Sequence, residues 1–286
     1  MQRFGLSVAL ATPFGPDGAI EARRLGDHAM ACLGRGADSV TLFGTTGEGA
    51  SVAMHERRIG IEALLGAGCP AARIVLGICA TSAGDAVTQV AEGIGHGITD
   101  FLLLPPFYFP GPAEAGLFDW HAAVLAQADP RARFILYHIP QVSGVGLSVE
   151  LVQRLAARAP DRVIAVKDSS GDWENAKALL APGAPQVLVG DERLLHRAMA
   201  LGGGGAISGM ANLHPARMAR IVETGLEDAT LSAEVARIVS VPVIPAIKAG
   251  LAAQKKDSVW ALPRPPLEPL SDAARATVFG AEAGAA

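Results

Sequence analysis

The sequence predicts a TIM (β/α)8 barrel with a C-terminal helical extension. Three observations predict it. Eight short β-rich runs alternate with helix-patterned stretches, which implies a parallel sheet because parallel neighbours need a crossover between them. No linker or compositional break divides residues 1–211, and 286 residues accommodate one barrel of about 250. An open doubly wound sheet is the alternative with the same alternation. Half the residues are hydrophobic and 18% are charged, as strands covered on both faces require.

The strands are read, in order, in Val8–Thr12, Asp38–Gly44, Arg73–Cys79, Thr99–Pro105, Arg133–Pro140, Arg162–Asp168, Gln186–Glu192 and Gly204–Gly209. Between them, Glu21–Leu33, Ser82–Ile94, Ala113–Ala128 and Ser148–Ala159 space their apolar residues by three and four, with Ser, Asp or Glu near each start. Gly202–Gly205 precedes the eighth strand instead of following the first, so it reads as a helix stop and not as a nucleotide loop. From Asn212 the pattern is helical without strands. Pro263–Ser271 (PRPPLEPLS) forms a rigid loop before a last alanine-rich helix. Residues 1–211 are therefore expected to be the barrel and 212–286 an extension packed on it as one structural unit.

The net charge of −4 is dispersed, without the basic stripe that phosphate binding needs, so nucleic acid is not an expected partner. The N-terminal MQRFGLSVALATPFG lacks an apolar core followed by a small-residue cleavage site, so no signal peptide is expected. Every apolar stretch is interrupted before about 18 residues, so neither is a membrane span. Cys32, Cys69 and Cys79 are odd in number and lack CxxC spacing. They read as reduced and mostly structural, which favours the cytoplasm. His55-Glu56-Arg57-Arg58 is not HExxH, and no metal site is expected.

In a parallel barrel the strand C-termini share one mouth, so polar residues ending several strands converge there. The sixth strand, Val163-Ile164-Ala165-Val166, runs into Lys167-Asp168. A lysine there can snorkel to solvent or pair with Asp168. The sharper reading is that desolvation favours the neutral amine, the nucleophile that attacks a ketone to give an iminium, and an iminium is an electron sink. The chain has two tyrosines, both in mouth segments: Tyr137 ends strand five and Tyr108 lies in the PPFYFPG loop after strand four. Adjacent strands run about 5 Å apart, which brings Tyr137 within reach of Lys167. A phenol there either packs with its hydroxyl satisfied or moves protons to and from the substrate oxygen. Strand two ends in Gly44-Thr45-Thr46-Gly47-Glu48-Gly49. This is not a Walker loop, but its main-chain N–H groups and two hydroxyls suit a carboxylate, or simply cap a βα turn.

GTTGEG from Gly44, YHIPQVSG from Tyr137, VKDSSGD from Val166, GDE at Gly190 and RPPLEPLS from Arg264 occur together over nearly the whole chain. In this the sequence resembles the dihydrodipicolinate synthase and N-acetylneuraminate lyase family of class I aldolases. The resemblance implies that Lys167 is the Schiff-base lysine, that the covalent imine takes the place of any cofactor, and that Tyr137 relays protons. It implies that Thr45 and Thr46, with Gly47 in the same turn, bind the keto-acid carboxylate and extend the relay. Tyr108 would be lent to a neighbouring subunit's site, in a homotetramer built from tight dimers.

Within the family, dihydrodipicolinate synthases carry an arginine five residues after the strand-five tyrosine, where this chain has Val142. A valine cannot pair bidentately with an acidic aldehyde. Asp191 with Glu192 resembles the pair that binds sugar hydroxyls in the lyases, although acids at that position also suit a helix N-terminus. Gly190 and Ser208 complete the expected substrate-binding set. Gly209 stands where those lyases carry a serine.

The expected function is a lyase joining or releasing pyruvate and an aldehyde, on a 2-keto-3-deoxy sugar acid or a related 2-oxo acid. The alternatives are dihydrodipicolinate synthase itself, a sugar-acid dehydratase using the same lysine, and a noncatalytic keto-acid-binding barrel. Binding alone needs neither an imine-forming amine nor a proton relay.

Overall fold

The computed structural model describes residues 3–181 and 183–280. In chain order they form β1 (Gly5–Ala9), α1 (Ala22–Gly34), β2 (Ser39–Leu42), α2 (Met54–Gly66), β3 (Ile74–Ile78), α3 (Ala83–Gly95), β4 (Asp100–Leu103) and α4 (Glu114–Gln127). There follow β5 (Arg133–His138), α5 (Pro140–Ser143), α6 (Val149–Arg158), β6 (Val163–Asp168), α7 (Trp173–Leu179), β7 (Gln186–Val189), α8 (Glu192–Ala200) and β8 (Gly205–Ser208). The eight strands close in sequence order into a barrel, every neighbouring pair parallel, with β1 against β8. Beyond the barrel come α9 (Pro215–Thr224), α10 (Ala229–Ile238), α11 (Val243–Lys255) and α12 (Asp272–Phe279). Residues 281–286, the tail of the expected last helix, lie outside the described residues.

Seven strands lie inside the segments predicted for them; the first does not. β1 starts at Gly5, which pairs with Gly205, and ends at Ala9, so Leu10–Thr12 run past the sheet towards the mouth. Apolar character continues beyond the last ladder partner here, which is why hydrophobicity misplaced the strand's end. The helices begin one residue late for a similar local reason. Ser82 and Ser148 are N-caps, their hydroxyls each accepting a main-chain N–H at 3.0 Å, from Asp85 and Leu151.

Alternation along the strands divides the core in two. Ala9, Val75, Leu102, Ile135, Ala165, Leu188 and Ile207 fill the barrel interior, while Val40, Leu76, Leu103, Leu136 and Val166 face the surrounding helices. The C-terminal helices seat against the β1 side. Asn212 donates from Nδ2 to the Ala9 and Gly209 carbonyls at 2.7 and 2.8 Å, and its Oδ1 accepts from Ala11 N at 3.0 Å. The same Oδ1 lies 3.0 Å from His28 Nε2, so the ring carries its proton there; burial keeps His28 neutral, its pKa lowered to about 4. Trp260, buried, meets the His28 ring edge-on at 4.9 Å. Among the described residues no single helix is long and apolar enough to cross a membrane; α10 and α11 reach that length only as a pair bent by 118°.

Candidate active site

Lys167 and Tyr137 lie side by side because of an irregularity in strand pairing. Phe134 pairs with Val163, but Ile135 pairs with Ala165, which leaves Ile164 as an extra residue in β6. Without that bulge Tyr137 would face the outward Val166; with it Tyr137 registers on Lys167, and both side chains enter the barrel. Both are buried, 3% and 5% exposed. Lys167 Nζ donates to the Tyr137 phenol at 3.2 Å and lies 4.4 Å from the ring centre. The phenol also lies 3.2 Å from Thr45 Oγ1, so amine, phenol and threonine form one hydrogen-bonded chain.

Asp168 takes no part. As the next residue on a strand it faces away, accepting from Ser170 N and Asn175 Nδ2, each at 2.9 Å. Neither the solvent-directed lysine nor the Lys167–Asp168 pair is therefore present. His138 also faces outward; its Nδ1 accepts from Leu147 N at 2.9 Å, and burial lowers its pKa.

The Gly44–Gly49 turn closes on itself, Glu48 N donating to Thr45 O at 3.0 Å and Gly49 N to Gly44 O at 3.1 Å. The main-chain N–H groups of Thr45, Thr46 and Gly47 have no acceptor among the described residues. Three successive free donors beside a buried amine make a cradle for a small anion. Thr46 lies beside Gly209 at the end of β8, where a Cβ would sit 3.2 Å from its hydroxyl. Gly47 is wedged against the Leu10–Thr12 segment that follows β1, its carbonyl accepting from Thr12 Oγ1 at 2.7 Å.

The remaining predicted residues divide. Gly190 lies directly beside the amine: a Cβ there would come within 2.9 Å of Lys167 Cε and 1.9 Å of Ser169 Oγ. Glu192 accepts from Ser208 Oγ at 2.7 Å and Met210 N at 3.0 Å, and burial raises its pKa. Asp191 caps α8 through Arg193 N and holds the Arg193 guanidinium bidentately at 2.9 and 2.6 Å. Both acids thus have protein partners already. Val142, on α5, is 60% exposed. Tyr108 is 76% exposed, packed edge-on against Phe109 at 5.2 Å, outside the chain formed by Lys167, Tyr137 and Thr45.

Three neighbours of the mouth were not among the predicted site residues. Ser169 lies over Gly190. Cys79 packs with the interior cluster instead of a helix, and burial raises its thiol pKa. Arg193, on the rim, has no signal beyond its spacing from Asp191. Among the described residues no group of three or more His, Cys, Asp and Glu could hold a metal ion.

Fold and site define an α/β-barrel enzyme, a lyase of the class I aldolase type. Residues 2–280 match the dihydrodipicolinate synthetase family. The chain is 32% identical to an uncharacterised DapA-like lyase of Chloroflexus aurantiacus, covering 94% of this chain and 92% of that one. It is 31% identical to a 4-hydroxy-tetrahydrodipicolinate synthase of Thermosynechococcus vestitus, over 96% and 94% of the two chains. A crystal structure of dihydrodipicolinate synthase from Agrobacterium tumefaciens superposes with a TM-score of 0.94 at 42% identity, covering 98% of each chain. The enzyme of Acinetobacter baumannii, solved with pyruvate, superposes with a TM-score of 0.88 at 26% identity over 99% of each. The chain belongs to the dihydrodipicolinate synthetase family.

Proposed function

We propose that Lys167 forms a Schiff base with pyruvate or a related 2-oxo acid, and that the enzyme makes or breaks the bond between C3 of that acid and an aldehyde. One observation carries the reading: a buried amine whose polar partner is a phenol, 3.2 Å away, itself joined to Thr45. In this reading the keto-acid carboxylate takes the free N–H groups of Thr45, Thr46 and Gly47. Nζ attacks C2 and passes a proton to the oxygen, and the carbinolamine hydroxyl leaves as water with a proton delivered by Tyr137, which is left as a phenolate hydrogen-bonded to Thr45. In the cleavage direction the C4 hydroxyl gives its proton to that phenolate, the C3–C4 pair flows into the iminium, and the aldehyde departs. The resulting enamine takes that proton back from Tyr137 at C3, and water releases pyruvate from Lys167.

The preferred substrate is a 2-keto-3-deoxy sugar acid, supported by Val142 at the position where an acidic aldehyde would need an arginine. Dihydrodipicolinate synthesis is the second reading, favoured by the names of the relatives at 31% and 42% identity. The exposed Tyr108 loop supports a tyrosine lent across subunits of a homotetramer, and three free cysteines support the cytoplasm.

The test is borohydride reduction with pyruvate and peptide mass spectrometry, followed by two assays. These are pyruvate release from a panel of 2-keto-3-deoxy acids, and condensation of pyruvate with aspartate semialdehyde. A reduced adduct on Lys167 with release from the panel is expected. No adduct on a folded protein removes the Schiff base, and condensation without release moves the assignment to the synthase.

A further inference from the structure

The proposed chemistry uses Thr45–Gly47 but leaves Glu48, at the end of the same turn, without a task. Glu48 has φ +55 and Phe43, at the other end, φ +59. Both are left-handed conformations that a side chain with a Cβ resists, and such residues persist only where their surroundings hold them. Phe43 is held by Gly60 and the Arg57 guanidinium of α2, whereas the surroundings of Glu48 come from the C-terminal extension. The Glu48 carboxylate forms an ion pair with Lys248 Nζ of α11, both side chains being 0% exposed. Its other oxygen accepts from Arg264 N at 2.7 Å. The Arg264 guanidinium is fixed in turn by Ser51 O at 2.8 Å and by the Glu56 carboxylate. Both cations lie over the Phe14 ring, Lys248 Nζ at 4.5 Å and Arg264 Cζ at 4.3 Å from its centre.

A buried ion pair adds little net stability, since an apolar pair of the same volume commonly serves as well; the best-attested use of such a pair is to fix register between the elements that carry it. The elements joined here are α11 and the turn. Within the turn, Glu48 N is bonded to Thr45 O, so a shift of Glu48 is passed to Thr45 through one hydrogen-bonded loop.

We propose that Glu48 is a positioning residue: gripped by Lys248 and the Arg264 main chain, it lets the C-terminal extension set the approach of Thr45 to the Tyr137 phenol. The rate of proton delivery at Lys167 follows from that approach. This rests on the reading of Lys167 as the imine-forming lysine and Tyr137 as its relay.

The experiment follows exchange of the pyruvate methyl protons in D2O by NMR, a half-reaction that reports enamine formation and needs no second substrate. It compares wild type, Glu48→Gln/Lys248→Met and Lys248→Arg, each with Tyr137 and with Tyr137→Phe, all checked for folding by circular dichroism. If the proposal holds, Glu48→Gln/Lys248→Met lowers the exchange rate by about tenfold or more beside Tyr137, but by less than about twofold in the Tyr137→Phe background. Lys248→Arg, which keeps the charge, recovers part of the loss. Should the double variant be unfolded, Glu48→Gln alone, which keeps one of the two acceptor oxygens and loses the charge, is expected to show a smaller loss with the same dependence on Tyr137. Equal losses in the two backgrounds overturn the proposal and make the pair a purely structural tie. Wild-type enzyme that forms neither adduct nor exchange with pyruvate or other 2-oxo acids overturns the functional reading and this inference together. Exchange with additive losses overturns the inference alone.

Discussion

Two lysines, one at the barrel mouth and one in the seam beneath the C-terminal helices, are buried to nearly the same degree and face opposite chemistry. Lys248 meets the Glu48 carboxylate at a point with no solvent exposure. Lys167 meets a phenol and, among the described residues, no carboxylate, because strand alternation sends Asp168 to the other face. At Lys248 burial pulls the pKa down while the Glu48 carboxylate pushes against it, so that amine is tied to a fixed counter-charge. The amine beside Tyr137 has no such clamp. If Lys167 is the nucleophile proposed above, the partner, more than depth, separates it from a structural lysine.

The sharpest test of that contrast is Lys167→Ala, expected to abolish both the borohydride adduct and pyruvate proton exchange while the protein stays folded. Residual exchange with the same dependence on pyruvate would hand the nucleophilic role to another amine. Tyr137→Phe comes next. Loss of a proton relay is worth about 10²- to 10⁴-fold, and the loss is expected in kcat with the fold intact. A near-normal rate in that variant would mean that the phenol merely packs against the lysine stem.

The third test moves from rate to stability. Lys248→Met leaves Glu48 buried without its partner, which costs about 3–5 kcal/mol, read as a lowered denaturant midpoint at unchanged slope. Adding Glu48→Gln is expected to restore most of it. Lys167→Met, by contrast, replaces an amine that has no counter-charge, and is expected to leave the midpoint unchanged or raise it. Equal midpoints for Lys248→Met and Lys167→Met would erase the contrast between the two lysines.

The barrel was legible because eight β-rich runs met a length and a pattern that one closed sheet satisfies. Lys167 was legible because a lysine ending a buried strand is costly wherever it occurs. The same argument, applied to the lone lysine in the apolar run Val243–Gly250, would have found Lys248; read as a helix on a surface, that run gave no reason to ask. The bulge at Ile164 was not legible. Pairing register depends on how two strands twist against each other, and nothing in Val163–Val166 marks one residue as extra. Asp191 and Glu192 were placed at the mouth but without their partners, since Arg193 and Ser208 engage them through side-chain geometry that spacing does not encode.

The smallest expected effect concerns what the rim admits. Val142 is 60% exposed, so Val142→Arg needs no space inside the fold, and its effect on stability is expected to stay within about 0.5 kcal/mol. A charged hydrogen bond to a carboxylate is worth about 1.5–3 kcal/mol, which corresponds to roughly tenfold or more in kcat/KM for an acidic aldehyde over a neutral polyol one. The rim already holds one arginine, but Arg193 is engaged bidentately by Asp191, and binding an acid there would require breaking that pair. If Val142→Arg leaves the preference unchanged while Arg193→Ala alters it, the distal end of the substrate lies over α8 and not α5. Asp191 and Arg193 together, a neutral pair with donors and acceptors of its own, would then be what selects a hydroxylated chain.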